Sequence, residues 1–321
     1  MLITMLLRAD LNLISYKRHY EYVYLFQQAD GVRKQAYKSL NKDEKSVEED
    51  VAVVKQWLKT QHHLPEVMSD PAIRNFLLMN KFSVESTKQK IDMYYTMRTL
   101  LPDLYGNPTC SQIKDFMDDM FVCFHPVPMQ GLYKVFLYKA KRPNILSLRK
   151  LAVVVNSIAE VRLMKDCMYR DIMILDMENI TVNDIAKITP PLIAEIFTIY
   201  AKVFSLRLEA IYLLNAPSFV LQLMAMLKSV LKPKIFNRIE VHQDTEVLTQ
   251  IFTSDDLPKD YGGNGPSLQE LNDLVMLMFE DHQERFDQLD KLKIDENLRV
   301  EKLNREEILG VRGDFKKLEV D

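Results

Sequence analysis

The sequence predicts an α/β fold in which a mostly parallel central sheet is preceded by a small all-helical domain. Strand-like runs alternate with longer helical patterns between residues 120 and 241, which is typical of parallel strands joined by helical crossovers. Residues 46–108 carry helical periodicity instead. At 321 residues, the chain is long enough for one large domain with a helical appendage.

These patterns divide the chain into four regions. We expect an N-terminal extension of unknown role at residues 1–45, the helical domain at 46–108, the α/β domain at 109–266, and a C-terminal helix with a charged tail at 267–321. The opening run MLITMLLRAD is apolar, but Arg8 and Asp10 interrupt it and no charged segment precedes it, so we expect no secretory signal. No apolar stretch reaches the length of a transmembrane span, and we therefore expect a soluble protein.

Two features mark the N-terminal third of the chain. An aromatic cluster in the extension fits either a helix that docks on the body or an extension peculiar to this sequence; its members are Tyr16, Tyr20, Tyr22, Tyr24 and Phe26. In the helical domain, apolar residues recur at helical spacing at Val47, Val51, Val54 and Leu58. A helical hairpin is expected over Asp70–Tyr105, with Ser69 positioned to cap its first helix and Pro71 in the first turn.

The α/β region contains five strand-like runs, separated by helices. The predicted strands are Met120–Phe124, Tyr133–Tyr138, Ile172–Met177, Leu206–Leu214 and Arg238–Val241. The predicted helices are Leu148–Met164, Val182–Lys187, Pro190–Phe204, Phe219–Leu231 and Leu268–Phe286.

The helix Phe219–Leu231 is unusual because apolar residues cover most of its circumference. Pro217 is expected to start it, since proline suits a first helical turn. A helix of this kind must be covered on more than one side or must at times face lipid. At 1.5 Å per residue it is roughly 20 Å long, too short to span a bilayer. The pattern therefore leaves two interpretations open, an ordinary core helix and a gate over a lipid pocket.

Composition and motif content argue against several function classes. A net charge of −3 and a pI near 6.1 argue against a general nucleic-acid binder. The chain has 8 glycines and lacks the phosphate-cradling GxGxxG and Walker sequences, as well as GxSxG and HExxH. Its 3 cysteines lack metal-ligand spacing and are expected to be reduced thiols. Asp176 and Glu178 have no apparent base or nucleophile beside them and are interpreted as structural. We expect no enzyme activity, no metal and no cofactor.

Four motifs occur together in a characteristic order. They are ILDME, the helix opening Thr189-Pro190-Pro191, YLLNAP and LPKDYGG, within the stretch that begins at Asp171 and ends at Gly263. This combination resembles the CRAL-TRIO (Sec14-like) lipid-binding domain family. It is most similar to the branch of alpha-tocopherol transfer protein-like and cellular retinaldehyde-binding proteins, especially arthropod members. The similarity extends over roughly residues 46–286.

The resemblance implies a hydrophobic pocket between the sheet and a helical gate. Carried onto matching positions, the floor comprises Met173 and Leu175, and the gate comprises Leu223, Met226, Leu227 and Val230. The opposite wall comprises Ile196, Ile199, Tyr200, Val203, Phe204 and Ile211. Ordinary core packing is the alternative interpretation of each position.

The resemblance also implies a basic surface that docks on phosphoinositide headgroups. Its members here are Lys228, Lys232, Lys234 and Arg238. Three departures put this recognition in question, because related proteins are basic where this chain has Asn80, Gln89 and Glu209. Solvated lysines at a helix end are the alternative.

We therefore expect a non-enzymatic, monomeric carrier that moves a small hydrophobic ligand of the tocopherol, retinoid or carotenoid type between membranes. Its partners would be the ligand and, transiently, a membrane surface, with no nucleic acid. We expect it in the cytoplasm and peripherally at membranes. Two alternatives remain: a Sec14-type phosphatidylinositol or phospholipid exchange protein, and an adaptor that uses the same fold to bind protein.

Overall fold

A five-stranded sheet forms the centre of the protein. The computed structural model describes residues 22–105, 108–205, 207–289, 291–300, 302–303 and 308. The predicted positions Tyr16, Tyr20 and Leu206, and most of the charged tail, lie outside these residues. The strands are β1 (Met120–Phe124), β2 (Tyr133–Ala140), β3 (Arg170–Asp176), β4 (Leu208–Leu214) and β5 (Ile239–Val241).

The strands follow the order β1-β2-β3-β4-β5 across the sheet. β1 pairs antiparallel with β2, and all the other neighbouring strands are parallel. The predicted mostly parallel sheet is therefore confirmed. Parallel neighbours need helical crossovers, and helices follow β2, β3 and β4 along the chain.

Helices precede the sheet, and those between residues 44 and 105 correspond to the small helical domain that the sequence predicts at 46–108. The helices before the sheet are α1 (Ala29–Ser39), α2 (Glu44–Leu58), α3 (Asp70–Met79), α4 (Val84–Leu100), α5 (Pro102–Tyr105) and α6 (Cys110–Met117). Those within and after the sheet are α7 (Leu148–Lys165), α8 (Val182–Ala186), α9 (Pro190–Ile199), α10 (Val220–Val230), α11 (Pro233–Phe236), α12 (Leu248–Ile251), α13 (Leu268–Asp281) and α14 (Gln283–Leu289).

Helix α9 changes geometry at its C-terminal end. It begins at the expected place, where the Thr189 hydroxyl accepts a hydrogen bond from the backbone N–H of Leu192. From Tyr200 to Phe204 the backbone continues as a π-helical turn. The turn ends at Ser205, whose φ of 43° is left-handed and reverses the chain toward β4. The predicted helix has the right extent but two geometries.

Three local predictions require correction. Ser69 occupies the N-cap position of α3, but its side chain makes no capping hydrogen bond. Pro217 does not begin α10, because it lies in the preceding turn and its carbonyl accepts from the N–H of Val220, at 2.9 Å. The predicted helix Leu268–Phe286 is divided at His282 into α13 and α14.

The described part of the N-terminal extension packs on the body. Tyr22 is buried, and its phenol donates to the Asp281 carboxylate at 2.6 Å. Phe26 is buried against Phe124 of β1. The Lys134 ammonium donates to the Leu25 carbonyl at 2.9 Å. Two of the three described members of the aromatic cluster thus support the docked interpretation, whereas Tyr24 is exposed.

The second glycine of the LPKDYGG motif, Gly263, is required for steric reasons. A Cβ atom added at Gly263 would lie 2.0 Å from the Leu257 carbonyl oxygen. That oxygen accepts the backbone N–H of Gly265 at 2.9 Å and so closes the loop before α13. Only glycine permits this close approach of two backbone segments.

None of the helices in the described ranges is both long and apolar enough to cross a membrane.

Candidate functional site

A cavity of about 250 Å³ lies between one face of the sheet and the helices α7, α9 and α10. The parallel register builds its floor, because side chains on neighbouring strands point to the same face at paired positions. Phe136, Met173 and Ile211 lie side by side across β2, β3 and β4. Tyr138 and Leu175 form the next row, together with Leu213 of β4.

Three helices form most of the walls, and α8 and α11 add Ile185 and Ile235. Helix α7 contributes a stripe at helical spacing: Leu148, Leu151, Ala152, Val155, Ile158 and Ala159. Helix α9 and its π-helical turn contribute Ile193, Ile196, Phe197 and Tyr200. Helix α10 contributes Leu223 and Leu227. The lining is therefore overwhelmingly apolar.

Helix α10 is only half covered. Leu223 and Leu227 face the cavity, whereas Leu221 is 73% exposed to solvent. Buried side chains occur only at the two ends of the helix, at Val220 and Val230. Its apolar circumference therefore divides into a cavity face and a solvent face, and neither of the two sequence interpretations had assigned apolar residues to solvent.

A buried ionic network lies at the edge of the cavity. The guanidinium of Arg162 donates to both carboxylate oxygens of Asp171 at 2.9 Å and to Asp166 at 2.8 Å. The Lys134 ammonium lies 3.6 Å from the Asp166 carboxylate. Burial lowers the pKa of Lys134. Burial also opposes ionisation of Asp166, but the charges of Lys134 and Arg162 outweigh it and lower the pKa of Asp166. Two cations and two anions make this network neutral.

An ion pair and hydrogen bonds hold the carboxylate of Asp176, the acidic residue at the end of β3. Asp176 pairs with Lys139 at 2.9 Å and accepts from Asn215 at 2.9 Å and from the Tyr261 phenol at 3.1 Å. These contacts occupy the carboxylate oxygens of Asp176 and connect β3 to neighbouring loops, which is consistent with a structural role. Within the described residues, no group of three or more His, Cys, Asp or Glu side chains is arranged to hold a metal ion.

Two family models match the chain. Residues 135–263 match the model described as CRAL/TRIO domain, which spans β2 to β5 and every helix that lines the cavity. The chain therefore contains a CRAL-TRIO domain. Residues 43–113 match the model described as Pinta-like, UBA domain, which covers helices α2 to α5.

Similar proteins include curated relatives named alpha-tocopherol transfer protein-like. Those of Homo sapiens and Pongo abelii are each 23% identical over 242 residues, covering 72% of this chain and 70% of the relative. The Mus musculus protein is 23% identical over 225 residues, covering 68% and 66%. A solved structure titled "Crystal structure of Sfh5" aligns with a TM-score of 0.45 and 12% identity, covering 78% of this chain and 98% of that one.

Seven of the twelve pocket positions predicted for this CRAL-TRIO domain line the cavity. They are Met173, Leu175, Ile196, Tyr200, Ile211, Leu223 and Leu227. They come from β3, β4, α9 and α10, so residues separated by up to 54 positions in the chain meet around one space.

Five predicted positions lie outside the lining of the cavity. Ile199, Val203 and Phe204 are buried in the main core, because α4 covers that side of the π-helical turn and Phe204 packs against the Tyr105 ring. Met226 lies beside the face that Leu223 and Leu227 form on α10. Val230, the last residue of that helix, is buried in a second cluster of apolar side chains.

The sequence reasoning missed the wall formed by α7 and the row contributed by β2. The helix α7 had been predicted, and its apolar stripe from Leu148 to Ala159 was legible at helical spacing. Phe136 and Tyr138 alternate on one face of a strand that had also been predicted. Neither pattern indicated that its apolar face bordered a cavity rather than ordinary core.

The four predicted docking residues lie at and beyond the C-terminal end of α10. Lys228 and Lys234 are exposed, and Lys232 is half-buried. Arg238 is directed elsewhere, because its guanidinium donates to the carbonyl of Leu208 at the start of β4. The exposed positive charge of this surface therefore comes from its lysines.

The positions that depart from related proteins have local roles. The Glu209 carboxylate pairs with Arg170 at 2.7 Å, which compensates the acidic charge. The Asn80 amide donates to the Phe76 carbonyl, and its oxygen accepts from the Ser205 hydroxyl at 3.2 Å. Gln89 is exposed. Asn80 thus joins the helical region to the end of the π-helical turn.

Proposed function

We propose that this protein binds a small hydrophobic molecule in the cavity and transfers it between membranes without chemical change. The observation that carries the proposal is the cavity itself, an apolar space enclosed by the sheet and by α7, α9 and α10. An apolar space of this kind favours a ligand with extensive apolar surface. The CRAL-TRIO domain supports lipid binding as the general activity, and a tocopherol-like, retinoid or carotenoid ligand is the finer proposal.

Energetics favour transfer at a membrane over release into water. Each buried CH₂ contributes about 0.8 kcal/mol, so a ligand with ten apolar carbons would lose roughly 8 kcal/mol on leaving for water. A bilayer removes most of this cost, because the ligand then passes between two apolar environments. The protein would therefore load and unload only while it contacts a membrane.

Helix α10 is the element that we propose as the gate. It packs mainly on α9 and α11 and covers the cavity with Leu223 and Leu227. The exposed Leu221 on its outer face offers an apolar contact for lipid. Insertion of that face into a membrane would stabilise a displaced helix and open the cavity toward the bilayer.

Membrane docking is assigned to the lysines beside the gate. Lys228 and Lys234 are exposed, and each such charge contributes roughly 1 kcal/mol near an anionic leaflet. Phosphoinositides carry a concentrated negative charge and are the headgroups that we propose. The protein would act as a monomer in the cytoplasm and bind membranes peripherally and transiently.

Mass spectrometry of an organic extract tests the proposal. The protein is purified from its native tissue, with a boiled sample and an unrelated protein as controls. A stoichiometric isoprenoid or other small hydrophobic molecule is the expected result. A bound phospholipid would replace the proposal with phospholipid exchange. A protein that carries no ligand, even after incubation with tissue lipids, would refute carriage and favour an adaptor.

A further inference from the structure

Two phenol hydroxyls lie in the lining of the cavity, whose other polar members are the charged side chains of Arg162, Asp171 and Asp176. Tyr138 comes from β2, and Tyr200 comes from the π-helical turn after α9. Tyr138 is only 5% exposed, so its hydroxyl has little access to bulk solvent. Neither hydroxyl has a hydrogen-bond partner among the residues that the structure describes. A ligand that fills the cavity would cut both hydroxyls off from water, and buried hydroxyls are ordinarily paired, so each of these two points to a partner supplied by the ligand.

Both tyrosines line the same cavity of about 250 Å³. Tyr138 is close enough to Tyr200, Asp171 and Arg162 for each to affect the pKa of its phenol. Burial is the largest effect and raises the pKa of both phenols, so both stay neutral at physiological pH. A neutral phenol donates one hydrogen bond and also accepts.

The charged groups beside them are already satisfied. Arg162 directs its guanidinium to Asp171 and Asp166, and its positive charge is matched within the neutral network that also contains Lys134. The Arg162 guanidinium also lies over the Phe136 ring, and the Tyr138 ring stacks against that same ring. Breaking such a buried pair to bind a phosphate would leave an uncompensated carboxylate. The site therefore offers neutral hydrogen-bonding groups and no available cation in its described lining.

We infer that Tyr138 and Tyr200 bind the single uncharged polar group of the ligand, a hydroxyl or carbonyl oxygen. The site would thus select an apolar molecule with one such oxygen over a pure hydrocarbon and over a phospholipid. This inference rests on the proposed carrier function and narrows its ligand class. The selectivity has a physical cause, because a ligand without the oxygen leaves two buried hydroxyls unpaired.

A matched pair of probes tests the inference. All-trans-retinol and the hydrocarbon in which hydrogen replaces its hydroxyl are titrated against the full chain, with binding followed by probe fluorescence. The same protein is incubated with phosphatidylcholine vesicles that contain phosphatidylinositol, and extracted lipid is measured. The variants are Tyr138→Phe and Tyr200→Phe. Tyr212→Phe is the control, because Tyr212 lies on the same sheet outside the cavity lining, with its ring against His242.

The expected result is a preference of about tenfold or more for the alcohol over the hydrocarbon in the unmodified protein. Each cavity variant should lower the affinity for the alcohol about five- to tenfold and raise that for the hydrocarbon, because phenylalanine has no hydroxyl that the hydrocarbon could leave unpaired. Tyr212→Phe should change neither. Thermal melting checks that the variants fold. If one of the two cavity variants does not fold, the other still tests the inference.

Other outcomes distinguish this inference from the carrier proposal. Equal binding of the two probes by the unmodified protein would overturn the inference and leave carriage intact. Equal loss of both probes in the phenylalanine variants would overturn it as well, because it would indicate a packing role. Preferential extraction of phosphatidylinositol would overturn the proposed headgroup class. Binding of no probe and no lipid would refute the carrier proposal, and the inference with it.

Discussion

Helix α10 carries one leucine on its cavity face and one on its outer face, and replacing each of them by aspartate tests the cavity wall and the gate separately. Leu223 lines the cavity, and Leu221, two residues earlier, is 73% exposed on the outer face. Replacement by aspartate introduces the same charge into the same helix in both variants. Only Leu223→Asp places the carboxylate against the ligand.

The expected magnitude follows from desolvation. A bound apolar ligand would remove water from the new carboxylate at position 223, and the penalty for burying an ionised group is several kcal/mol. Even about 3 kcal/mol corresponds to a loss of affinity of more than a hundredfold. Without ligand the carboxylate stays partly hydrated, because Leu223 is half-buried. Folding should therefore be affected far less than binding.

Leu221→Asp should keep the affinity of the unmodified protein in solution, within about twofold, because exposed positions contribute little to folding or to the cavity. It should instead slow transfer from vesicles, since a charged side chain opposes insertion of the outer face of α10 into lipid. Affinity is measured by titration with a fluorescent lipid probe, and transfer by probe movement between donor and acceptor vesicles. Thermal melting verifies folding.

Two results would refute this reasoning. If Leu223→Asp binds the probe as tightly as the unmodified protein, Leu223 does not contact ligand. If Leu221→Asp loses affinity as severely as Leu223→Asp, the effect reports on damage to α10 rather than on the two faces of the helix.

Three further predictions concern charge. Lys234→Glu should slow transfer from phosphoinositide-containing vesicles several-fold and leave ligand occupancy intact. The control is Lys59→Glu, which changes an exposed lysine on the helical region and should alter neither the transfer rate nor the occupancy. If both variants slow transfer equally, Lys234 has no specific role in docking. Arg162→Met should lower the free energy of unfolding by about 3–5 kcal/mol in urea titrations, because it leaves buried carboxylates uncompensated, and a loss below 1 kcal/mol would contradict this. The lowered pKa of Asp166 means that its ionised form stabilises the folded state above the unfolded pKa near 4, and that this stabilisation is lost as pH falls through the lower folded value. Unfolding titrations between about pH 5 and 3 should therefore show a weaker pH dependence for Asp166→Asn than for the unmodified protein.

Much of the fold could be predicted because each element carries a local pattern. β1 was predicted with the bounds that the structure has, and the ends of β2, β3 and α7 differ by a few residues. Alternation and helical spacing reveal which side of an element is apolar. They do not reveal what covers that side, and for this reason the stripe on α7 could be seen without being recognised as a cavity wall.

The candidate site was predicted only in part, for two physical reasons. The π-helical turn shifts the helical phase after Ile199, so Tyr200 lines the cavity while Val203 and Phe204 pack under α4. Arg238 matched a basic position of the family, yet the backbone carbonyl of Leu208 holds its guanidinium. The local sequence predicts neither the π-helical turn nor the hydrogen bond between Arg238 and the Leu208 carbonyl.

The sequence by itself determined the fold class and the resemblance to the CRAL-TRIO domain. Those properties depend on apolar periodicity, on glycines such as Gly263 and on motifs that stand in a fixed order along the chain. Only the tertiary structure decided which apolar faces meet around a space and which meet each other. It also brought Tyr138 and Tyr200 together and left their hydroxyls unpaired within the described residues. The physical reason is that burial and hydrogen-bond satisfaction are properties of neighbours in space, and residues 62 positions apart become neighbours only when the sheet and helices pack.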